Sequence, residues 1–200
     1  MQTSKQREDY IMIQCVFAIG DTKMSDENWA FGFKGGLPWG RPIKKDMENF
    51  KIRTIGEVEL AAVVMGRNTF ESLPKALEGR LNVVISTDAS KPTPKAKNGD
   101  QPDVYTGIEL KDLLKALEKT QGLVSVIGGP SLIEKAVDFA DRIVLTYVQR
   151  SGINDPFEYD VGISNEMIQE LYFDFATKEE HNYFLDDYLI SEQILERKKA

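Results

Sequence analysis

Gly35-Gly36-Leu37-Pro38-Trp39-Gly40-Arg41-Pro42-Ile43-Lys44-Lys45-Asp46-Met47-Glu48-Asn49-Phe50-Lys51-Ile52-Arg53-Thr54 runs from a glycine-rich loop into an amphipathic segment. Ile43, Met47, Phe50 and Thr54 recur at helical spacing, which predicts a helix over ~42–54 with Pro42 near its first turn. Asp46 falls among these apolar positions, in a region where six cations face two acids between residues 34 and 53. A carboxylate withdrawn from water resists ionisation, so its presence there calls for a chemical reason.

The flanking chain alternates strands and helices. Residues 10–19 form an apolar run ended by Gly20-Asp21, the pattern of a buried strand, and 21–40 read as one long loop. Further strands are expected at 60–65, 81–86, near Tyr105, at 123–127 and at 142–148. Helices are expected near 68–73, over 108–119, and from the Gly128-Gly129-Pro130 junction to about 139. Residues 88–102 read as a surface connection. In the tail, a short helix precedes an antiparallel pair, 171–177 and 182–190, joined by a charged turn. Such alternation implies an α/β fold: a mixed, mostly parallel β-sheet flanked by helices, with an antiparallel C-terminal edge. No repeat or linker divides the 200 residues, so a single domain is expected over 1–200, with 1–9 a flexible extension.

Composition removes several function classes. The net charge of −7 argues against general nucleic-acid binding, and no apolar run reaches the ~18 residues of a membrane span. Residues 1–9 lack the apolar core of a signal peptide, so a cytoplasmic protein is expected. Cys15, the single cysteine, cannot form an internal disulfide and reads as a buried, inert thiol. His181, the single histidine, lies in a polar run and reads as a surface residue. Triad chemistry and multi-His or Cys metal sites are thereby excluded, and no metal is expected. From residue 155 to 192 eleven acids face one lysine, so the positive stretch at 34–53 is where a small polyanion would be drawn.

Two further segments are suited to phosphate. Val126-Ile127-Gly128-Gly129-Pro130-Ser131-Leu132 passes from strand through two glycines to a helix start, where free N–H groups and the helix dipole favour anions. Val64-Met65-Gly66-Arg67-Asn68-Thr69-Phe70-Glu71-Ser72-Leu73 ends a strand at glycine and places Arg67 and Thr69 at a helix start. Arg67 either pairs with a phosphate or salt-bridges a neighbouring acid.

The ordered set is Leu-Pro-Trp before an Asp-bearing helix, Met-Gly-Arg-x-Thr-Phe-Glu-Ser-Leu-Pro, Leu77-Glu78-Gly79-Arg80-Leu81, Val-Ile-Gly-Gly and Ile143-Val144-Leu145-Thr146. Over residues ~11–148 this order resembles the dihydrofolate reductase family, and the spelling of 35–54 looks most like its bacteriophage branch. The resemblance implies NADPH-dependent reduction of 7,8-dihydrofolate to tetrahydrofolate: a hydride passes to pterin C6, and N5 takes up a proton. By the same resemblance Asp46 holds the pterin's N3 and 2-amino group, Thr146 bonds Asp46, and Leu37 and Trp39 belong to a mobile gating loop. Val16, Phe17, Met47, Phe50, Leu77 and Ile127 edge the substrate, and Arg80 takes its glutamate carboxylate. Ala18, Gly66, Asn68, Thr69, Ile127, Pro130 and Ser131 line the cofactor, with Arg67, Ser86 and Thr87 around its 2′-phosphate. Gly128-Gly129 forms a cis peptide.

Departures from the family's pattern are local. Ile133 replaces a frequent tyrosine, two extra residues separate Trp39 from Asp46, and Asp155 and Asp160 compete as the acid that steadies the gating loop. No second titrating group is evident beside Asp46. The partners expected are dihydrofolate and NADPH, without nucleic acid or membrane, in a monomer or homodimer. The alternatives are a reductase of another pterin-like or pyrimidine substrate, and a folate- or nucleotide-binding structural component without turnover.

Overall fold

The structure, a computed structural model, describes residues 12–23, 27–152, 155–185 and 187–199. Along the chain come β1 (Met12–Gly20), β2 (Asn28–Gly32), α1 (Lys44–Ile55), β3 (Ala61–Gly66), α2 (Arg67–Ser72), β4 (Leu81–Ile85), β5 (Val104–Thr106) and α3 (Leu110–Leu117). They are followed by β6 (Leu123–Gly128), α4 (Pro130–Val137), β7 (Arg142–Arg150), β8 (Val161–Ser164), α5 (Asn165–Asp174), β9 (Phe175–Leu185) and β10 (Tyr188–Arg197). The strands join one sheet in the order β5-β4-β3-β6-β1-β7-β10-β9. Pairs from β5 to β7 are parallel; β10 pairs antiparallel with β7 and β9, as the alternating pattern and closing hairpin imply. The extension expected at 1–9, and Tyr10 and Ile11 of the first strand, lie outside the described residues.

Strand periodicity sorts the sheet's two faces. On β1, Ile13, Cys15, Phe17 and Ile19 enter the larger core with Leu113, Leu114, Ile133, Ile168 and Leu171 of α3, α4 and α5. Val16 points the other way, into a second cluster with Met65, Phe70, Val84, Ile127 and Val144. Burial pushes the Cys15 thiol up to about 12, which keeps it protonated and unreactive. His181 is partly exposed on β9, its Nε2 3.0 Å from Glu179. Among the described residues no helix is long and apolar enough to cross a membrane, and no group of His, Cys, Asp and Glu is suited to a metal.

The structure corrects the sequence reading in three places. The expected 21–40 loop contains β2, which pairs with β1 and, through Trp29↔Ile163, with β8. That partner lies more than a hundred residues away, beyond the reach of local pattern. Residues 171–174 complete α5 instead of opening a strand: Ser164 Oγ accepts from Met167 N at the helix start, and Ile168 and Leu171 are buried. β9 then runs straight through the charged residues expected to turn, and the chain reverses between Leu185 and Tyr188. Charge is tolerated in β9 because it is an edge strand whose outer side chains stay in water.

Candidate active site

A cavity of about 1000 Å³ opens on the face of the sheet bearing Val16, Ala18, Val144 and Thr146, and α1, α2 and the start of α4 close its sides. It gathers Val16, Phe17, Ala18, Leu37, Asp46, Met47, Phe50, Leu77 and Thr146 with Gly66, Arg67, Asn68, Thr69, Ser86, Thr87, Gly129, Pro130 and Ser131. Four residues expected at the site do not line this cavity. Trp39 is 5% exposed and packs edge-on against Phe157, 6.0 Å between ring centres, with its indole N–H unpaired among the described residues. Ile127 and Gly128 stand behind Gly129 at the strand end, and Arg80 lies just beyond Phe50.

Asp46 sits in the first turn of α1 and is only 8% exposed. Burial, and then the nearby charge of Glu192, push its carboxyl up to about 6. The carboxyl accepts no hydrogen bond from another described residue, and none joins it to Thr146; both face the same cavity. The helix is locked to the sheet at its other end, where Gln14 Nε2 donates to the carbonyl of Arg53 (2.8 Å) and to Ser125 Oγ (2.9 Å). Phe50 follows Asp46 by one turn, and the Arg80 guanidinium lies 5.9 Å from its ring. Arg80 also donates to Thr54 Oγ1 (2.6 Å) and to the Glu78 carbonyl (3.1 Å). Asn82, 3% exposed, shapes the loop carrying Leu77 and Arg80: its side chain accepts from Leu77 N and donates to the carbonyls of Leu77 and Arg80.

The far end carries features suited to phosphate. The Gly128–Gly129 peptide is cis, and Gly128 has φ +140°, where a side chain would meet Phe31 Cζ and Thr69 Oγ1 at 3.3 Å. Pro130 occupies the first position of α4, which opens onto the cavity. Arg67 borders the same space, and both readings of it meet here: it salt-bridges Glu71 at 2.9 Å and donates to the Pro92 carbonyl and Tyr105 hydroxyl. Lys91, Lys97 and Lys135 add positive charge to the wall. Close backbone approach at glycine, a helix N-terminus and cations are what a dinucleotide phosphate requires.

A family model for dihydrofolate reductase matches residues 18–188. The chain belongs to the dihydrofolate reductase family. Dihydrofolate reductase type 9 of Escherichia coli is 38% identical over 128 residues, covering 62% of this chain and 66% of the relative. Type 8 of the same organism is 32% identical over 162 residues, covering 76% of this chain and 91% of the relative. A solved structure, dihydrofolate reductase from Enterococcus faecalis complexed with NADP(H) and RAB-propyl, superposes with a TM-score of 0.66. At 18% identity over 94% of this chain and 97% of the other, that likeness establishes a shared fold.

Within this family fold the structure separates the two acids expected to compete for the loop at 33–40. Asp160 Oδ2 accepts from Lys34 N at 2.9 Å and Asp160 N donates to the Gly32 carbonyl at 3.0 Å, so Asp160 holds the loop's base. Asp155 instead pairs with Arg150. Ile133, the departure from the usual tyrosine, is fully buried in the larger core and does not face the cavity. Sequence reasoning missed the contribution of β2, whose Phe31 and Gly32 border the cavity, because its pairing with distant β8 leaves no local signal. It also missed Glu192. A second acid does stand at the site: Glu192 reaches the cavity wall from β10, 2% exposed and ion-paired with Arg53. The signal was a Glu at the inward position of the alternation Ile190, Glu192, Ile194.

Proposed function

We propose that this chain reduces 7,8-dihydrofolate to 5,6,7,8-tetrahydrofolate, serving one-carbon and nucleotide synthesis. The observation that carries the reading is Asp46: a buried carboxyl with a raised proton affinity, facing a cavity whose opposite end is built for phosphate, in a chain of this family. NADPH, when bound along Gly128–Ser131, Gly66–Thr69, Ser86 and Thr87, supplies the hydride for pterin C6. Asp46 holds the N3 and 2-amino edge of the pterin, and its proton affinity favours protonation at N5 with the proton delivered through water. Phe50, Met47 and Leu77 pack against the ring system, and Arg80 binds the distal carboxylate, held in place by Thr54 and Phe50. Leu37 closes over the reacting centre as the loop anchored by Asp160 moves, which excludes water from the transfer.

The spelling of 35–54 supports kinship with the bacteriophage branch, whereas the relatives named above are bacterial. We take the protein to work in the cytoplasm, as a single domain, monomeric or as a homodimer, which sedimentation will distinguish. The deciding experiment follows NADPH absorbance in the presence and absence of dihydrofolate, beside Asp46→Asn. Oxidation that requires dihydrofolate and falls ~100-fold or more in the variant at neutral pH, with a smaller loss at low pH, supports the reading. Binding of both ligands without oxidation would replace it with a binding role.

A further inference from the structure

Glu192 is a buried acid on the wall of the cavity that Asp46 faces. It lies in the middle of β10, where the register sets it directly opposite Thr146 of β7 on one side and His181 of β9 on the other. Residues paired across strands share a face, so Glu192 and Thr146 point together toward α1. There Arg53 meets Glu192 with two contacts, Nη2 to Oε2 at 2.9 Å and Nε to Oε1 at 3.4 Å. The carboxylate is 2% exposed and borders the cavity that Asp46 borders.

A buried ion pair is a poor way to stabilise a fold, since desolvation offsets most of the attraction. Apolar side chains would close this part of the sheet at less cost. The pair here is also asymmetric in its placement. Its carboxylate faces the cavity, whereas its guanidinium is tied to α1, whose Arg53 carbonyl is bonded by Gln14. The groups around it are few. From α1 come Asp46, Asn49 and Arg53; from β7, Thr146; from β1, Gln14, an amide. From β9 come His181, paired with Glu179, and Tyr183, whose ring carries the Lys45 ammonium at 5.1 Å. Among these, Glu192 is the acid that borders the cavity together with Asp46.

We propose that Glu192, oriented by Arg53, is a positioning residue that acts through Asp46: its fixed negative charge on the cavity wall keeps a proton on the Asp46 side of the site. Glu192 does not need to touch the substrate. Two carboxylates near one another resist ionising together, so a negative charge held beside Asp46 by Arg53 favours the proton on Asp46. The raised proton affinity of Asp46 is consistent with this arrangement. The site thereby gains an acid that works further into the neutral range than burial alone would allow.

The kinetic consequence rests on the reductase reading, so the first test avoids turnover. The apo protein, labelled with carbon-13 at its Asp and Glu side-chain carboxyls, is titrated by NMR, with Asp46→Asn identifying the Asp46 signal. In Glu192→Gln the Asp46 midpoint should fall by about half a unit or more, because one anion is lost and Arg53 is left uncompensated. Glu192→Asp, which keeps the charge, should restore most of the wild-type midpoint. The pH profile of hydride transfer should move in parallel, with the rate at pH ~8 dropping about threefold or more in Glu192→Gln and KM for dihydrofolate little changed. An unmoved Asp46 midpoint in folded Glu192→Gln would overturn the proposal and leave the pair a structural element. Should that variant not fold, Arg53→Gln/Glu192→Gln removes both charges and must still lower the midpoint. In the wild-type protein, a Glu192 carboxyl found protonated at neutral pH would equally overturn it. A moved midpoint in a protein that does not oxidise NADPH would uphold the coupling and reject the reductase reading.

Discussion

Replacing Asp46 by Asn should stabilise the folded protein at neutral and alkaline pH even as it removes turnover. Burial and the charge of Glu192 raise the Asp46 carboxyl from the ordinary 3.8 to about 6. Each unit of pKa is worth ~1.4 kcal/mol, so ionised Asp46 costs the fold about 3 kcal/mol. The folded-state pKa lies above the unfolded one, so the protonated form is what the fold favours. Stability from this group is therefore fully present below about 3.8 and is lost as the pH rises through about 6. Urea unfolding of the apo protein and of Asp46→Asn will measure the difference. The variant should exceed the wild type by about 3 kcal/mol at pH ~8 and by under about 1 kcal/mol at pH ~4, with the gap opening between. In a thermal scan the alkaline difference corresponds to roughly 6–12 °C for a chain of this size. Equal stabilities at pH ~8 would refute the assignment of Asp46 as a strained, desolvated acid. A gain that persists unchanged at pH ~4 would mean that the substitution acts through packing rather than charge.

Three further outcomes check the remaining assignments. Arg80→Leu should weaken dihydrofolate binding about 10- to 100-fold, the worth of a charged hydrogen bond, and leave NADPH affinity unchanged in calorimetry; equal losses for both ligands would move Arg80 out of the substrate subsite. Arg67→Ala should weaken NADPH at least ~10-fold more than NADH, and parallel losses would reduce Arg67 to its salt bridge with Glu71. Asp160→Ala removes the acceptor for Lys34 N and should change kcat several-fold, on the order of the ~1 kcal/mol of one hydrogen bond, whereas Asp155→Ala should not; a reversed result would assign the loop's anchor to Asp155.

The local elements were largely legible because their signals are local. The apolar positions of α1 and α3 repeat at helical spacing, β1 and β6 are buried on both faces and read as apolar runs, and Gly128-Gly129-Pro130 punctuates a strand-to-helix junction in any context. The site was legible where one residue type at one spacing has few other uses, as with Asp46 on an apolar helical face or Arg67 at a helix start. The failures share a cause. β2 and β8 are short, and β8 is a strand only because β2, more than a hundred residues away, pairs with it. The charged run in β9 reads as a turn until its position at the sheet edge is known, where charge suits an unpaired rim.

By itself, then, the sequence determined most of the order of elements, the parallel character of the sheet, and the motifs that bring forward Asp46, Phe50, Arg80, Arg67 and the paired glycines as candidate residues. Each is specified by its own neighbours within a turn or two of chain. Tertiary structure alone decided which residues act on those groups from elsewhere. It set Glu192 beside Arg53 and at the cavity of Asp46, tied the loop at 33–40 to Asp160 and not Asp155, and turned Ile133 into the core. Those relations depend on strand register, and a shift of one residue would send Glu192 to the opposite face of the sheet. Register follows from the pairing of β7, β10 and β9 along their whole length, a property no single stretch of the sequence contains.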